Sequence, residues 1–171
     1  MPDPSKRPGR SDFLFFWPVV VRWSDMDALG HVNNATYFTY MEAARVGFFE
    51  KLGWSVVEHA GPPPFGPVVV SQTFNYRRAV VYPSRLEVGV RCAEFRDRSF
   101  VLVYGIFEEG TDVLVGDGTT VLVWTDLAAG KAVALPADIR RGLERTRLVV
   151  QQKSPQPPVS KGGRGGISGA L

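Results

Sequence analysis

The chain of 171 residues has the length of one ordinary domain, which is enough to bury a hydrophobic core without disulfides. Hydrophobic residues at 44% and charged residues at 22% exclude a chain that is disordered over most of its length. The net charge of +3 arises at the ends of the chain, because residues 1–12 and 151–171 hold six basic and two acidic residues. The remaining residues, 13–150, hold 14 basic and 15 acidic residues and are nearly neutral. The net charge therefore does not indicate a nucleic-acid-binding groove.

Both ends of the chain are predicted to be flexible tails because they lack apolar periodicity. Residues 1–12 are rich in Pro, Ser and charged residues, and residues 148–171 are rich in Pro and Gly. An Arg-Gly-Gly fragment begins at Arg164 and could contact RNA, but one copy is weak evidence for such a partner. The folded domain is therefore expected over residues 13–147, with no nucleic acid bound.

The first half of the predicted domain contains a strand and one long helix. Residues 13–23 are rich in aromatic and β-branched residues, which predicts a strand. From Asn34 large side chains recur every three or four residues until Gly53, which predicts a helix with one broad buried face. That face consists of Phe38, Met41, the Arg45 stem, Phe48, Phe49 and Leu52. A short strand is predicted near residues 54–58.

The second half contains four long predicted strands, at residues 68–76, 85–95, 99–108 and 113–125. Short links between long strands imply antiparallel neighbours. Residues 135–144, with Pro136 in the first turn, are predicted to form a closing helix. The predicted fold class is therefore α+β, an antiparallel sheet wrapped around one long central helix. The lack of parallel βαβ alternation disfavours a doubly wound nucleotide fold.

Two features of the sequence bear on the cellular location of the protein. The apolar run at residues 13–21 is interrupted by Pro18 and is shorter than the roughly 20 residues that a membrane span needs. Cys92 is the only cysteine, and its alternating neighbours predict a buried strand residue rather than a reactive thiol. We therefore expect a cytoplasmic protein without membrane insertion.

The segment at residues 23–37 carries the side chains best suited to chemistry. Asp25 and Asp27 lie two residues apart, between the first strand and the long helix, and Gly30, His31, Asn33 and Asn34 follow them. A helix N-terminus offers up to four unpaired N–H groups and the positive end of the helix dipole, which suit an oxyanion. The same residues could instead only cap the helix, and composition alone favours capping.

This segment resembles the signature of the 4-hydroxybenzoyl-CoA thioesterase family in the hotdog superfamily. The matching positions are Asp25, Asp27, Gly30, Tyr37, Met41, Glu42, Ala44 and Arg45, and the variant His31-Val-Asn-Asn34 is common among acyl thioesterases of that superfamily. Three further segments match in the same order, at residues 76–83, 96–100 and 135–138. The resemblance covers roughly residues 15–145 and implies a hotdog fold.

The resemblance implies hydrolysis of an acyl-CoA to a carboxylic acid and CoA, with Asp27 as the catalytic carboxylate. It places the oxyanion donor on the backbone N–H of Asn34. His31 and Asn33 could position water or the carboxylate, although His31 could equally be a loop residue packed against the helix. The substrate-binding candidates are Tyr37, Arg78, Arg96, Arg98 and Ser99. The resemblance implies that the last three contact the CoA phosphates. The alternative is that they form only an exposed charged turn.

Two further groups are candidates with other roles. Glu42 is the alternative catalytic acid, since another hotdog branch uses a helix glutamate, but its spacing from Arg45 favours an ion pair within the helix. Trp54, His59 and the loop at residues 62–65 are candidates to line the acyl pocket. The acyl group itself, and whether Asp27 attacks directly or activates water, are left open.

No cofactor or metal is expected, because hydrolysis needs none and His31 and His59 are too isolated for a metal site. One hotdog unit exposes a sheet edge and half a substrate cleft, so a homodimer or homotetramer is expected. The competing functions are a non-catalytic acyl-CoA-binding module, a nucleic-acid binder that uses the basic tails and, less favoured, a hotdog dehydratase.

Overall fold

The computed structural model describes the backbone of residues 7–54 and 61–151, with side chains as far as residue 147. The first helix follows the first strand, and the remaining strands follow the helix. In chain order the elements are β1 (Phe15–Val20), α1 (Thr36–Lys51), β2 (Phe65–Tyr76), β3 (Arg85–Phe95), β4 (Ser99–Glu108), β5 (Leu114–Asp126), β6 (Lys131–Ala132) and α2 (Ala137–Gln151).

The strands form one antiparallel sheet in the order β1-β3-β4-β5-β2, and the short β6 pairs with β5. The register shifts within β2 between Val69 and Ser71, and within β3 between Cys92 and Glu94. Such bulges bend a strand and increase its twist. The sheet therefore curls around α1, as predicted.

The central helix α1 is covered on much of its circumference because its side chains are large and apolar. Buried side chains come from Tyr37, Tyr40, Met41, Ala44, Arg45, Phe48 and Phe49. The helix approaches β1 most closely at Gly47, where an added Cβ would lie 2.4 Å from the indole ring of Trp17. The absence of a side chain at Gly47 thus fixes the spacing between helix and sheet.

The outer face of the sheet carries a smaller cluster built around Phe13. The ring of Phe13 is 4% exposed and occupies the space above two glycines, because an added Cβ would lie 2.6 Å from it at Gly89 and 2.8 Å at Gly105. Just before it, residues 10–12 form a 3-10 turn, and the Arg10 guanidinium pairs with Glu87. Part of the segment predicted as a tail is therefore packed on the sheet.

The bounds of several elements differ from the predicted ones. β3 and β4 begin and end as predicted, whereas the first strand is shorter than residues 13–23 because Phe13 packs on the outer face and Trp23 opens a 3-10 turn. The long helix begins two residues after Asn34. The short β6 was not predicted, and α2 continues past residue 144 to Gln151.

Two local predictions have different outcomes. Cys92 is fully buried in β3, which confirms the predicted core position, and burial raises the pKa of its thiol to about 12. The predicted strand at residues 54–58 lies outside the described residues except for Trp54, which is not in a strand.

Candidate active site

Residues 26–32 form a tight loop that presents Asp27. Met26 and Val32 form an antiparallel bridge, and the Asp27 N–H donates to the His31 carbonyl at 2.9 Å. The turn closes at Gly30, whose φ of 78° is a conformation that side chains disfavour. The loop therefore holds Asp27 at its base, and His31 contributes its backbone to this geometry while its side chain is exposed.

The Asp27 carboxylate is half-buried and is positioned by its own loop. Its Oδ1 accepts a hydrogen bond from the Leu29 N–H at 2.8 Å. The same loop is tied to the start of α1, because the Asn33 N–H donates to the Asp25 carbonyl at 2.8 Å. Asp27 and Asn34, the two residues to which the resemblance gives the main roles, thus lie on either side of a hydrogen bond that ties the loop to the start of the helix.

Asp25 has a different environment from Asp27. It is 3% exposed and accepts hydrogen bonds from the Tyr40 hydroxyl at 2.7 Å, the Arg22 N–H at 2.7 Å and the Arg22 guanidinium at 2.8 Å. Burial acts to raise the pKa of Asp25, but the hydrogen bonds from Arg22 and Tyr40 outweigh it and hold the pKa below its usual value. Asp25 is therefore an ionised structural anchor beneath the loop.

The chain just before α1 leaves one backbone donor available. The Asn33 side-chain Oδ1 accepts from the Ala35 N–H at 2.9 Å, and the Asn33 carbonyl accepts from the Thr36 N–H at 3.0 Å. Asn33 thus closes the turn that leads into the helix. The Asn34 N–H donates no hydrogen bond to any other group of the described residues, whereas its carbonyl accepts from the Tyr76 hydroxyl at 3.0 Å. The helix N-terminus consequently keeps a donor that a ligand oxygen could use.

Aromatic side chains form the wall beneath this helix end. Tyr37 is 3% exposed, and its ring stacks on Phe74 at a centroid distance of 5.0 Å and meets Tyr76 edge-on at 5.4 Å. Tyr76, the last residue of β2, is half-exposed. Tyr37, a predicted substrate contact, therefore supports the wall from below, and Tyr76 presents its ring at the surface.

A family model described as the thioesterase-like superfamily matches residues 21–143, which include the loop, α1 and the sheet. The chain belongs to the thioesterase-like superfamily. Its fold is the hotdog fold, and members of this superfamily are thioester hydrolases. The predicted family resemblance and fold class are confirmed.

Several relatives of this superfamily member are similar over most of their length. The long-chain acyl-CoA thioesterase FadM of Escherichia coli is 30% identical over 130 residues, which span 74% of this chain and 95% of FadM. The YsmA protein of Bacillus subtilis is 32% identical over 139 residues, 81% of this chain and 90% of YsmA. The crystal structure of the PA5185 protein of Pseudomonas aeruginosa aligns with a TM-score of 0.76 at 30% identity, covering 83% of this chain and 97% of that one.

The predicted substrate-binding residues fall at opposite ends of the hotdog unit. Arg78 follows β2 near Asn34, with its side chain 61% exposed and 3.6 Å from Glu108. Arg96 and Arg98 lie in the turn between β3 and β4, and Ser99 begins β4. The Arg98 carbonyl accepts a hydrogen bond from the Trp124 N–H at the far end of the sheet. One subunit therefore brings Asp27, His31, Asn33, Asn34, Tyr37 and Arg78 together, and holds Arg96, Arg98 and Ser99 apart from them.

The structure adds supporting residues that the sequence analysis did not single out. Arg22 and Tyr40 hold Asp25, and Tyr76 contacts the carbonyl of Asn34. Arg22 stands three residues before Asp25, a spacing that could have indicated the ion pair. Tyr40 and Tyr76 carried no such signal, because only the folded chain brings Tyr40 to Asp25 and Tyr76 to Asn34.

Glu42, the alternative catalytic acid, lies beside Arg45 on α1. Glu42 is exposed, and its Oε1 lies 3.7 Å from Nη2 of the buried Arg45, which fits the ion pair expected from their spacing.

Within the described part of the chain, no three His, Cys, Asp or Glu side chains are grouped as a metal site would need. None of the described helices is long and apolar enough to cross a membrane.

Proposed function

We propose that this chain hydrolyses acyl-CoA thioesters at Asp27 and the N-terminal end of α1. The observation that carries the proposal is the unpaired Asn34 N–H beside a loop that fixes the Asp27 carboxylate. The activity of FadM, a long-chain acyl-CoA thioesterase similar over most of both chains, supports the choice of acyl-CoA as substrate.

In the proposed reaction the thioester oxygen accepts a hydrogen bond from the Asn34 N–H, and the dipole of α1 stabilises the charge that develops on it. The ionised Asp27 carboxylate either attacks the carbonyl carbon, giving an anhydride that water then opens, or removes a proton from the attacking water. In both routes the C–S bond breaks, CoA leaves as the thiol after protonation, and the acyl group leaves as a carboxylic acid. His31 and Asn33 flank Asp27 and would help to position water.

The CoA arm would lie at a subunit interface. Arg96, Arg98 and Ser99 are the proposed contacts for the CoA phosphates, and they lie at the opposite end of the sheet from Asp27 in one subunit. An antiparallel homodimer brings unlike ends of its two subunits together. We therefore assign the phosphate contacts to the subunit that faces Asp27, and Arg78 to its own subunit's site.

The test compares Asp27→Asn with Glu42→Gln, which makes the same change on the exposed face of α1. Thiol release from a panel of acyl-CoAs is the measurement. Asp27→Asn should lower kcat by a factor of about a hundred or more, because the reaction loses its ionised carboxylate, while Glu42→Gln should keep near-native turnover. Loss of activity in Glu42→Gln alone would transfer the role to the helix glutamate, and tight binding of acyl-CoA without thiol release from the unaltered protein would indicate a binding module instead.

A further inference from the structure

An apolar cavity lies beyond the C-terminal end of α1, beside the end of β5. Its volume is about 460 Å³, and all of its lining residues are apolar: Trp54, Pro64, Phe65, Trp124, Val133, Ala134 and Pro136. Because Trp54 follows α1 and Asn34 precedes it, the cavity and Asn34 lie at opposite ends of the helix. A cavity of this volume falls within the range of small-molecule binding sites.

Aromatic rings that are held by the core form the walls of this cavity. Trp124 is 2% exposed, and Trp54 meets both Trp124 and Phe49 edge-on at centroid distances of 5.7 Å. The Trp54 ring also lies close to β2, because an added Cβ at Gly66 would be 3.3 Å from it. Phe65 is 43% exposed, so the cavity is open to solvent on its side. Such a lining suits either a flat ring or a hydrocarbon chain.

The turn between β3 and β4 borders the cavity. The Arg98 carbonyl accepts a hydrogen bond from the N–H of the lining residue Trp124 at 2.8 Å. The neighbouring Asp97 carbonyl accepts one from the Leu135 N–H at 2.9 Å, and Leu135 stands between two lining residues. The turn to which the CoA phosphates are assigned is therefore one hydrogen bond away from the cavity wall on two sides.

Positive charge is concentrated on and beside this turn. Arg96 is exposed, and the side chain of Arg98 is 62% exposed. Arg140 of α2 lies against the turn, because its Nη2 is 3.4 Å from the Asp97 carbonyl and 3.5 Å from the Asp97 carboxylate. The three guanidinium groups exceed the single carboxylate of Asp97. An apolar cavity beside excess positive charge suits a ligand that joins an apolar ring to phosphate groups.

The chemistry of CoA decides which part of the substrate fits the cavity. The pyrophosphate of CoA separates the adenosine from the pantetheine arm and the thioester, and the adenine is one ribose away from the phosphates. The amides of the pantetheine arm would need hydrogen-bond partners that an apolar lining lacks. Adenine can instead stack its faces on aromatic side chains and keep its polar edge at the open side.

We propose that the adenine ring of CoA binds in this cavity between Trp54 and Phe65. The phosphates then lie over Arg98 and Arg140, beside the turn. The proposal rests on the thioesterase function proposed above and adds an adenine site and Arg140 to it. Trp54 and the loop at residues 62–65, which the sequence suggested for the acyl pocket, would thus serve the opposite end of the substrate.

The first experiment fills the cavity and compares substrates with and without the nucleotide. Ala134→Trp adds a large side chain to the lining, and Ala129→Trp makes the same addition in the exposed turn after β5, which does not line the cavity. Ala134→Trp should lower kcat/KM for decanoyl-CoA about tenfold, as expected for the loss of a base stack. Its kcat/KM for decanoyl-pantetheine, which lacks the nucleotide, should stay unchanged. Ala129→Trp should change neither value.

Two results of this experiment would overturn the proposal. An equal fall with both substrates would mean that the cavity holds the acyl or pantetheine part. An unchanged kcat/KM for decanoyl-CoA in folded Ala134→Trp would mean that the cavity holds no part of the substrate. Ala134→Phe provides the same test with a smaller ring if the tryptophan variant does not fold.

The second experiment measures binding of the nucleotide without catalysis. Adenosine bisphosphate, which represents the nucleotide end of CoA, should quench the tryptophan fluorescence of the unaltered protein because its base stacks beside Trp54. Ala134→Phe should weaken this binding about tenfold and leave the affinity for inorganic pyrophosphate unchanged. Native affinity for adenosine bisphosphate in Ala134→Phe would show that the base lies outside the cavity.

The binding measurement also separates this proposal from the proposed function. If the unaltered protein binds adenosine bisphosphate in this way but releases no thiol from any acyl-CoA, the thioesterase proposal fails and the adenine site stands. If it releases thiol but Ala134→Phe keeps native affinity for the nucleotide, only the adenine site fails.

Discussion

The two carboxylates Asp25 and Asp27 differ in burial although they lie two residues apart. Asp25 is enclosed by Arg22 and Tyr40, while Asp27 is half-buried and accepts a single backbone hydrogen bond at Oδ1. Because a charge-assisted hydrogen bond is worth about 1.5–3 kcal/mol, Asp25 contributes to the stability of the loop. Asp27 keeps an accessible oxygen, so the pair divides into a buried anchor and the carboxylate that we propose to be catalytic.

The anchoring role of Asp25 predicts a specific response to acid. Its pKa is lowered in the folded state, so the stability it adds is complete above its usual pKa of about 4 and is lost as the pH falls through the folded value. Asp25→Asn should reduce the free energy of unfolding by about 1–3 kcal/mol at pH 7, with a smaller difference below pH 4. Urea titrations at both pH values measure this. A difference that does not shrink in acid would show that the charge of Asp25 is not what stabilises the loop.

At the same scale, the sequence could predict which residues are candidates but not their surroundings. The spacing from Asp25 to Arg45 identified the segment and its family. The separation of Asp25 from Asp27 by burial depends on Tyr40, a helix residue fifteen positions along the chain. Likewise, the availability of the Asn34 N–H depends on the turn that Asn33 closes before the helix, which a motif does not record.

Among the elements, α1 shows packing overriding helix propensity. Glycine inside a helix costs about 1 kcal/mol relative to alanine, so Gly47→Ala would stabilise an isolated helix. In the folded protein the added methyl group would lie 2.4 Å from two ring atoms of Trp17. Overpacking of this kind costs typically 1–3 kcal/mol, which exceeds the gain.

We therefore expect Gly47→Ala to be destabilised by about 1–2 kcal/mol, as measured by thermal or urea unfolding. The matched change is Gly47→Ala in a Trp17→Leu background, where the smaller side chain leaves room for the methyl group. There the substitution should be neutral or stabilising. A stabilising effect of Gly47→Ala with Trp17 present would mean that β1 moves away from the helix at little cost.

The bounds of elements could be predicted where short turns delimit the apolar runs. The turns at residues 77–84, 96–98 and 109–112 enclose β3 and β4, which match their predicted ranges. The first strand was predicted too long, since its aromatic residues serve two different surfaces. Phe15 contacts Phe48 of the helix, whereas Phe13 meets Phe107 on the outer face. The composition of the segment does not show which of the two surfaces each aromatic side chain contacts.

For the whole molecule, chain order could not show which end of the sheet each candidate occupies. Arg78 and Arg96 are eighteen residues apart and were both proposed as substrate contacts. The strand β3 between them carries the chain from the Asn34 end to the opposite end, so only the antiparallel topology separates them. The same topology makes a second subunit necessary for the proposed complete site.

This dependence predicts that breaking the β2 edge stops catalysis. Val70 is 58% exposed on the edge strand β2, and Val70→Lys places a charge where pairing with a second copy would bury it. Sedimentation should show a monomer, and turnover of acyl-CoA should fall at least tenfold. Leu14→Lys, at a residue that is 68% exposed outside the β2 edge, is the control and should remain an active dimer. A fully active monomeric Val70→Lys would contradict the shared site.

The Phe13 cluster limits how the proposed dimer could pair again. The side chain lies over Gly89 and Gly105 in the middle strands, and Arg10 spans from Glu87 to the Thr111 carbonyl. The chain's own beginning thus occupies part of the convex surface that back-to-back stacking of two sheets would use. Any tetramer with that stacking must accommodate this segment between its layers, so trimming the first thirteen residues would change quaternary assembly before it affected the chemistry.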